Sequence, residues 1–435
     1  MTPTLPVRER RAQQTMKRAL LILLLLLAAA EFFIRGPLRY FRSGFGWSDI
    51  TQVYVPSRAW IEGANPYSVD NFIALHREAT NQVVDRTGFR SHSPHPLTTL
   101  VVFSPVASLP WPLAHKLWAI FTGTIILPAI FCLGSFLGPR AFDRKLGFAA
   151  LTLALAPLHT GIAAGNVSVP AIALCAIAFW AVARKEHNLA GVLIAIAACL
   201  KPQIGGLFVL YYLARRQWRV ALVAIGVSLA VFLVGIGRLE WSGSPWWNDF
   251  LANAQAAKQD RLMDFADPGP LRYTMINLQV LLYTLLPNPV IASAGALLIG
   301  VALWGGWARF GLRSPAFASD LLMASAFLII GLLPIYHRNY DATLLIFPLC
   351  WALSPEAARY GRARWLALLV MVPFLLPGPT LLQSLTRRGF LYPSITSGWW
   401  WDAFLMPHQT WLLCILCVLL LRALATRPDP AVRAI

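Results

Sequence analysis

Residues 188–214 read NLAGVLIAIAACLKPQIGGLFVLYYLA: two apolar arms of about a dozen residues joined by Lys201-Pro202-Gln203. Basic residues close both ends, with Arg184 and Lys185 before the first arm and Arg215, Arg216 and Arg219 after the second. Arginine and lysine gathered between apolar runs are the mark of cytoplasmic loops in a polytopic membrane protein. A lysine between the arms then lies within or at the edge of the bilayer. Intramembrane charge is costly and usually functional, and Lys201 there needs an anionic partner. The plainer alternative is a lysine that snorkels from a helix end to the interface.

The same pattern repeats outward from this hairpin. The chain has 435 residues, 57% of them hydrophobic and 13% charged, against about 25% charged in soluble domains. Apolar runs recur from Leu20 to Leu421, so the expected fold class is an all-α polytopic membrane protein. Its net charge is +18. The basic residues sit in short clusters between apolar runs, which argues against nucleic acid as a partner and for membrane lipids and lipid phosphate. Cys132, Cys175, Cys199, Cys350, Cys414 and Cys417 all fall in apolar segments and read as small core residues. Arg8, Arg10, Arg11, Lys17 and Arg18 precede an apolar stretch that passes Ala28–Ala30 and continues through Ile34. That resembles a signal peptide in part, but its length favours an uncleaved anchor with a cytoplasmic N-terminus.

Seven basic clusters order the topology: the N-terminus, Arg140/Arg144/Lys145, Arg184/Lys185, Arg215/Arg216/Arg219, Arg309/Arg313, Arg359/Arg362/Arg364 and Arg422/Arg427/Arg433. All seven are cytoplasmic only if the runs 97–109 and 274–286 fail to cross. Both are short for a span and both end in Pro-x-Pro, which stops a helix. They are therefore expected to be interfacial or re-entrant. Twelve crossings remain: 18–35, 112–137, 146–162, 168–184, 188–200, 202–214, 219–236, 290–308, 317–334, 341–354, 365–377 and 409–424. This predicts a basic N-terminus over 1–17, one transmembrane domain over 18–424, a cytoplasmic tail over 425–435, and outer loops at 36–96, 237–273 and 378–408. Arg35, Arg39 and Arg42 run against the rule in this arrangement. Trp246-Trp247 and Trp399-Trp400-Trp401 read as an interfacial belt.

Two polar clusters interrupt the apolar pattern, and this topology puts both on the outer side with Asn166 and Lys201. One is Ser48-Asp49. Asp49 suits a general base beside an apolar surface, or else an N-cap for the helix that starts near Ile50. The other is Tyr336-His337-Arg338-Asn339-Tyr340-Asp341. His337 and Arg338 offer a titratable group and a phosphate partner, or else an ordinary loop in which Asp341 pairs with Arg338. No phosphate-cradling glycine loop is present, which disfavours a nucleotide-driven pump. No Asp-x-Asp pair is present either; the nearest acids are Asp264 and Asp267. His92-Ser-Pro-His95 is broken by proline and reads as loop polarity, so no metal is expected. Asn166-Val-Ser168 matches a glycosylation acceptor and carries little weight as one.

Five pieces of this chain together resemble glycosyltransferase family 87. They are Ser48-Asp49 with Tyr54 to Ala59 and Gly63-Ala64-Asn65-Pro66-Tyr67; Pro94-His95-Pro96 through Leu109-Pro110; Gly165-Asn166; Leu200-Lys201-Pro202-Gln203 with Arg215 to Arg219; and Tyr336 to Asp341. Their order runs from about 46 to 354, and Leu-Lys-Pro-Gln before the Arg-Trp-Arg loop is the most specific. His95 stands where that family usually has Tyr, and 68–93 has no clear counterpart. The resemblance implies a GT-C type bundle that moves a sugar from a polyprenyl-phosphate donor to a lipid or glycan acceptor, on the outer face of the cytoplasmic membrane. Mannose or another hexose or pentose is the implied sugar. It implies Asp49 as the base and His337 as a second catalytic group. Lys201 and Arg338 would hold the donor phosphate, with Asn166, Gln203, Tyr54, Arg58 and Asp341 binding substrate and no cofactor needed. A single carboxylate base fits an inverting displacement. A transporter or flippase of lipid-linked sugars is the rival, and a non-catalytic envelope scaffold ranks third.

Overall fold

In the computed structural model, the structure describes residues 7–42, 49–82, 95–139, 141–258, 263–312 and 320–426. Ser48, His92, Arg140, Arg313, Arg427 and Arg433 lie outside them. The described residues are helical almost throughout, with a single backbone bridge between Met275 and Arg338.

Five helical stretches are long and apolar enough to cross a membrane: Ala12–Arg42, Trp111–Leu137, Trp218–Trp241, Pro289–Leu312 and His408–Ala425. Two bent pairs raise the number to seven, Phe142–Leu153 with Ala156–Ala164 and Arg362–Leu375 with Pro379–Arg387. Among the described residues each of the twelve expected crossings overlaps helix, with 317–319 lying outside them and a break at 154–155. Five to seven of them, rather than twelve, meet the length and hydropathy of a full span. Ser168–Ala183, His187–Leu200, Pro202–Ala214 and Asp320–Gly331 are shorter, and they form the inside of the bundle. Ser168–Ala183 and Asp320–Gly331 are buried on nearly every face. The long helices surround them and leave Leu23, Leu222, Leu298 and Val290 exposed. That distribution, an apolar outside and a close-packed inside, suits lipid as the solvent.

The two segments read as non-crossing are short helices, Leu97–Ala107 and Leu278–Leu285. The second has a structural task. Ile276 N–H donates to His337 O at 2.9 Å, and Leu278 N–H donates to Leu333 O at 2.8 Å. These bonds fix the extended backbone that carries Tyr336, His337 and Arg338.

The segments expected as outer loops hold more helix than their polarity suggested. Thr51–Glu62, Val69–Thr80 and Trp246–Lys258 are all helical. They are clasped together through Asn65 Nδ2 to Asp249 Oδ2 at 2.7 Å and Asn253 Nδ2 to Tyr67 O at 2.9 Å. The tryptophan belt is only partly a belt. Trp399 and Trp247 are exposed, but Trp246 and Trp401 are buried in two small satellite cores. Asp264 and Asp267 each accept a backbone N–H two residues on, from Ala266 and Gly269. They are turn-forming acids, as this local bonding pattern of Asp predicts.

Candidate active site

The break at Lys201 follows from its neighbour. Pro202 starts the helix Pro202–Ala214, where its missing N–H costs nothing. A residue before proline is pushed out of the helical region, and Lys201 is extended, with φ −145° and ψ 91°. The ammonium is thereby turned into the bundle interior, where only 6% of the residue is exposed. Its anionic partner is Asp341, with Nζ 3.1 Å from Oδ1.

Asp341 is fully buried and is the hub of the site. His337 Nδ1 lies 3.0 Å from its Oδ2, and the Arg338 backbone N–H donates to the same oxygen at 3.2 Å. Ser168 Oγ is 2.7 Å from Oδ1 and also accepts from Lys201 Nζ at 2.6 Å. Ser168 Oγ further lies 2.5 Å from Asn166 Oδ1. A hydroxyl has one proton, so Ser168 donates to Asp341 or to Asn166 but not to both at once. Asn166 Oδ1 also accepts the Ser168 backbone N–H at 2.9 Å. With its oxygen held there, the amide points Nδ2 at Asp49 Oδ2, 2.6 Å away.

One polar chain thus runs Asp49–Asn166–Ser168–(Lys201, Asp341)–His337, through side chains up to 173 residues apart in sequence. Asp49 does not cap the helix Thr51–Glu62, whose N-cap Ile50 has no side-chain bond. Instead its backbone N–H donates to Ala164 O at 2.9 Å. Its carboxylate keeps Oδ1 without a partner among the described residues. Gly165 makes this approach possible. It ends the helix Ala156–Ala164 in the left-handed region, with φ 67°, and a Cβ there would sit 2.7 Å from Tyr40 Cε2.

A cavity of about 170 Å³ opens beside this chain. Asp49, Asn166, Lys201, Gln203 and Arg338 all line it. Tyr340 joins the two cations: Lys201 Nζ is 4.6 Å and Arg338 Cζ 5.7 Å from its ring centroid, within range of a cation–π attraction. The cations differ in one respect. Lys201 is neutralised by Asp341. Arg338 donates to Thr274 Oγ1 at 3.1 Å, makes no ion pair among the described residues, and has Nε unbonded. The alternative reading, a side-chain pair of Asp341 with Arg338, is not formed; the buried lysine takes the carboxylate instead.

Four expected site residues are placed elsewhere. His337 is 0% exposed and lies behind Asp341, with Nε2 unbonded, so it does not face the cavity. Asp341 is a buried counter-ion rather than a substrate contact. Tyr54 is turned away, with its hydroxyl on Leu109 O at 2.8 Å and its ring against Trp111. Arg58 pairs with Glu62 at 2.6 Å. Sequence reasoning passed over Ser168, Gln52 and His95. Gln52 lines the cavity and lies three residues after Asp49, a spacing that shares a helix face.

His95 also lines the cavity. Burial, and next the Lys201 ammonium, push its imidazole down to about 4. The ring is therefore neutral at neutral pH. An unfolded histidine titrates near 6.5, so the unfolded chain binds this proton first. Stability from this group is full above about pH 6.5, falls as pH is lowered toward 4, and levels off below that. Melting temperatures across this range should show the fall, and His95→Gln should remove that part of it.

The family model of glycosyltransferase family 87 matches residues 94–334. No curated protein and no solved structure matches the chain. The matched stretch contains His95, Asn166, Ser168, Lys201 and Gln203, while Asp49 and 336–341 flank it and are brought to the same cavity by the fold. A membrane-type helical bundle, this convergence, and a match over more than half of its length give one assignment: the chain belongs to glycosyltransferase family 87.

Proposed function

We propose that this glycosyltransferase is an inverting enzyme. It moves a sugar, mannose or another hexose or pentose, from a polyprenyl-phosphate donor to a lipid or glycan hydroxyl on the outer face of the cytoplasmic membrane. The observation that carries the reading is Asp49, the one carboxylate lining the cavity among the described residues, oriented by Asn166 and sharing that cavity with Arg338 and Lys201. The acceptor oxygen attacks the anomeric carbon. Asp49 Oδ1 takes the acceptor proton as the new C–O bond forms. The bond from the anomeric carbon to the phosphate oxygen breaks, and the lipid phosphate departs with the electron pair. Its growing negative charge needs fixed donors, and Arg338, which has no ion pair among the described residues, would supply them with Lys201 beside it. The neighbouring acid, Asp341, is occupied by Lys201, His337, Ser168 and the Arg338 backbone. It is not free to act as a nucleophile, which favours one displacement over two.

Twelve crossings in a GT-C type bundle, with the basic clusters in the cytoplasm, would put the Asp49 cavity on the outer side. The donor class is tested with purified enzyme and a crude glycolipid acceptor, offered either polyprenyl-phosphate-linked or nucleotide-linked radiolabelled sugar. Label should pass to acceptor from the lipid-linked donor alone. Transfer from the nucleotide-linked sugar at an equal rate would refute the proposed donor.

A further inference from the structure

A second cavity, of about 300 Å³, lies at the other end of the inner helices. It is walled by the C-terminal ends of Ser168–Ala183 and Pro202–Ala214, which carry Phe179, Tyr211 and Tyr212, with Lys185, Arg215 and Asp320 around it. Tyr212 is ten residues beyond Pro202, so this cavity is about 15 Å from the Lys201 end at 1.5 Å per residue. It shares no lining residue with the Asp49 cavity.

Two observations point to a ligand. Tyr212 is 2% exposed, and its hydroxyl has no hydrogen-bond partner although it borders the cavity. Buried hydroxyls are ordinarily bonded, and an exception asks for an explanation such as an absent ligand. Lys185 borders the same space and makes no ion pair among the described residues. It is held there by a left-handed backbone, φ 66°, with its N–H on Val182 O at 2.9 Å.

The charge balance selects an anion. Arg184, Lys185, Arg215 and Arg216 gather at this end. Against them stand Glu186, Asp320, already paired with Arg215, and two helix C-termini worth about half a negative charge each, which leaves this end net positive by about one charge. The surroundings select a lipid as the source. Phe136 and Phe179 line the cavity, and exposed Leu189 and Trp218 flank the adjoining helix starts. An exposed tryptophan beside arginines is typical of the bilayer boundary. We propose that this cavity binds the phosphate head of a membrane lipid, with Lys185 and the Tyr212 hydroxyl donating to phosphate oxygens. This goes beyond the glycosyl-transfer reading and does not depend on it.

The test is thermal melting of the full chain in a neutral detergent. The probes are dioctanoyl phosphatidic acid, dioctanoylglycerol without phosphate, and inorganic phosphate. The proteins are wild type, Tyr212→Phe and Lys185→Asn. Asparagine tolerates left-handed backbone, so the second variant removes charge without forcing the turn. Saturating phosphatidic acid should raise the wild-type melting temperature by about 2–4 °C, and dioctanoylglycerol should not. Each variant should lose at least half of that shift. Tyr212→Phe without ligand should melt no lower than wild type, since it deletes an unbonded hydroxyl. An equal shift from inorganic phosphate, lost in the variants, would keep the anion site and overturn the lipid as its source. Equal shifts from phosphatidic acid and dioctanoylglycerol, or a shift undiminished in both variants, would overturn the site.

Discussion

Asp49→Asn lowers the transfer rate by about 10²–10⁴-fold, the range for loss of a general base, with donor binding little changed. The substitution is nearly isosteric. It keeps the backbone bond from Asp49 N–H to Ala164 O, which holds the loop in place. It removes the ability to take the acceptor proton. It also sets two amides facing each other where Asn166 Nδ2 now donates to a carboxylate at 2.6 Å. The measurement is a split between the two steps: donor affinity from equilibrium binding, and rate from single-turnover transfer. A proportional fall in both would mean that Asp49 serves binding or folding rather than proton transfer.

Lys201→Met destabilises the fold by about 3–5 kcal/mol, the cost of leaving one partner of a buried pair without the other. Asp341 is fully buried, and the Lys201 ammonium lies 3.1 Å from its carboxylate. Methionine fills the space but leaves the carboxylate with His337, Ser168 and a backbone N–H. The companion experiment is the double variant Lys201→Met/Asp341→Asn. Because the two side chains touch, their effects do not add, and the double variant should be more stable than Lys201→Met alone. Thermal melting in detergent reads both. A double variant less stable than either single one would mean that the pair is not what the site rests on.

Much of this was legible in the sequence because lipid imposes a simple rule. Apolar runs become helices, and among the described residues each expected run overlaps helix. The two Pro-x-Pro segments were legible as short because paired prolines stop a helix, although a lone proline, Pro105, is accommodated within Leu97–Ala107. Full crossings were harder to count. In the inner helices, burial against protein and burial in lipid leave the same apolar composition, so Asp320–Gly331 reads like a span at 12 residues. The helices Val69–Thr80 and Trp246–Lys258 were read as loops because their polarity resembles a loop's. Their order comes from clasps such as Asn65 to Asp249, 184 residues apart.

The site shows the same division. That Lys201 needs an anionic partner followed from the cost of its burial; which acid it was did not. A local Arg338–Asp341 pair was the plainer alternative, yet the carboxylate is taken by the distant Lys201, 3.1 Å away. Tyr54 and Arg58 came from resemblance. Asp49 lies in the turn before the helix Thr51–Glu62, while Arg58 is about two turns into it and pairs with Glu62. Ser168 was discounted as part of a glycosylation pattern, although two residues after Asn166 is close enough to fix that amide.

The central claim is that the Asp49 cavity transfers sugar rather than conveying it. It is tested most directly in sealed proteoliposomes of known enzyme orientation. Radiolabelled polyprenyl-phosphate sugar is placed on the Asp49 side, with acceptor glycolipid in the membrane. The account predicts that label moves from the polyprenyl lipid to the acceptor, that free polyprenyl phosphate appears in equal amount, and that Asp49→Asn stops both. Label that reaches the opposite leaflet still attached to its polyprenyl carrier, at the same rate in wild type and Asp49→Asn, would contradict it and make the chain a carrier of lipid-linked sugar.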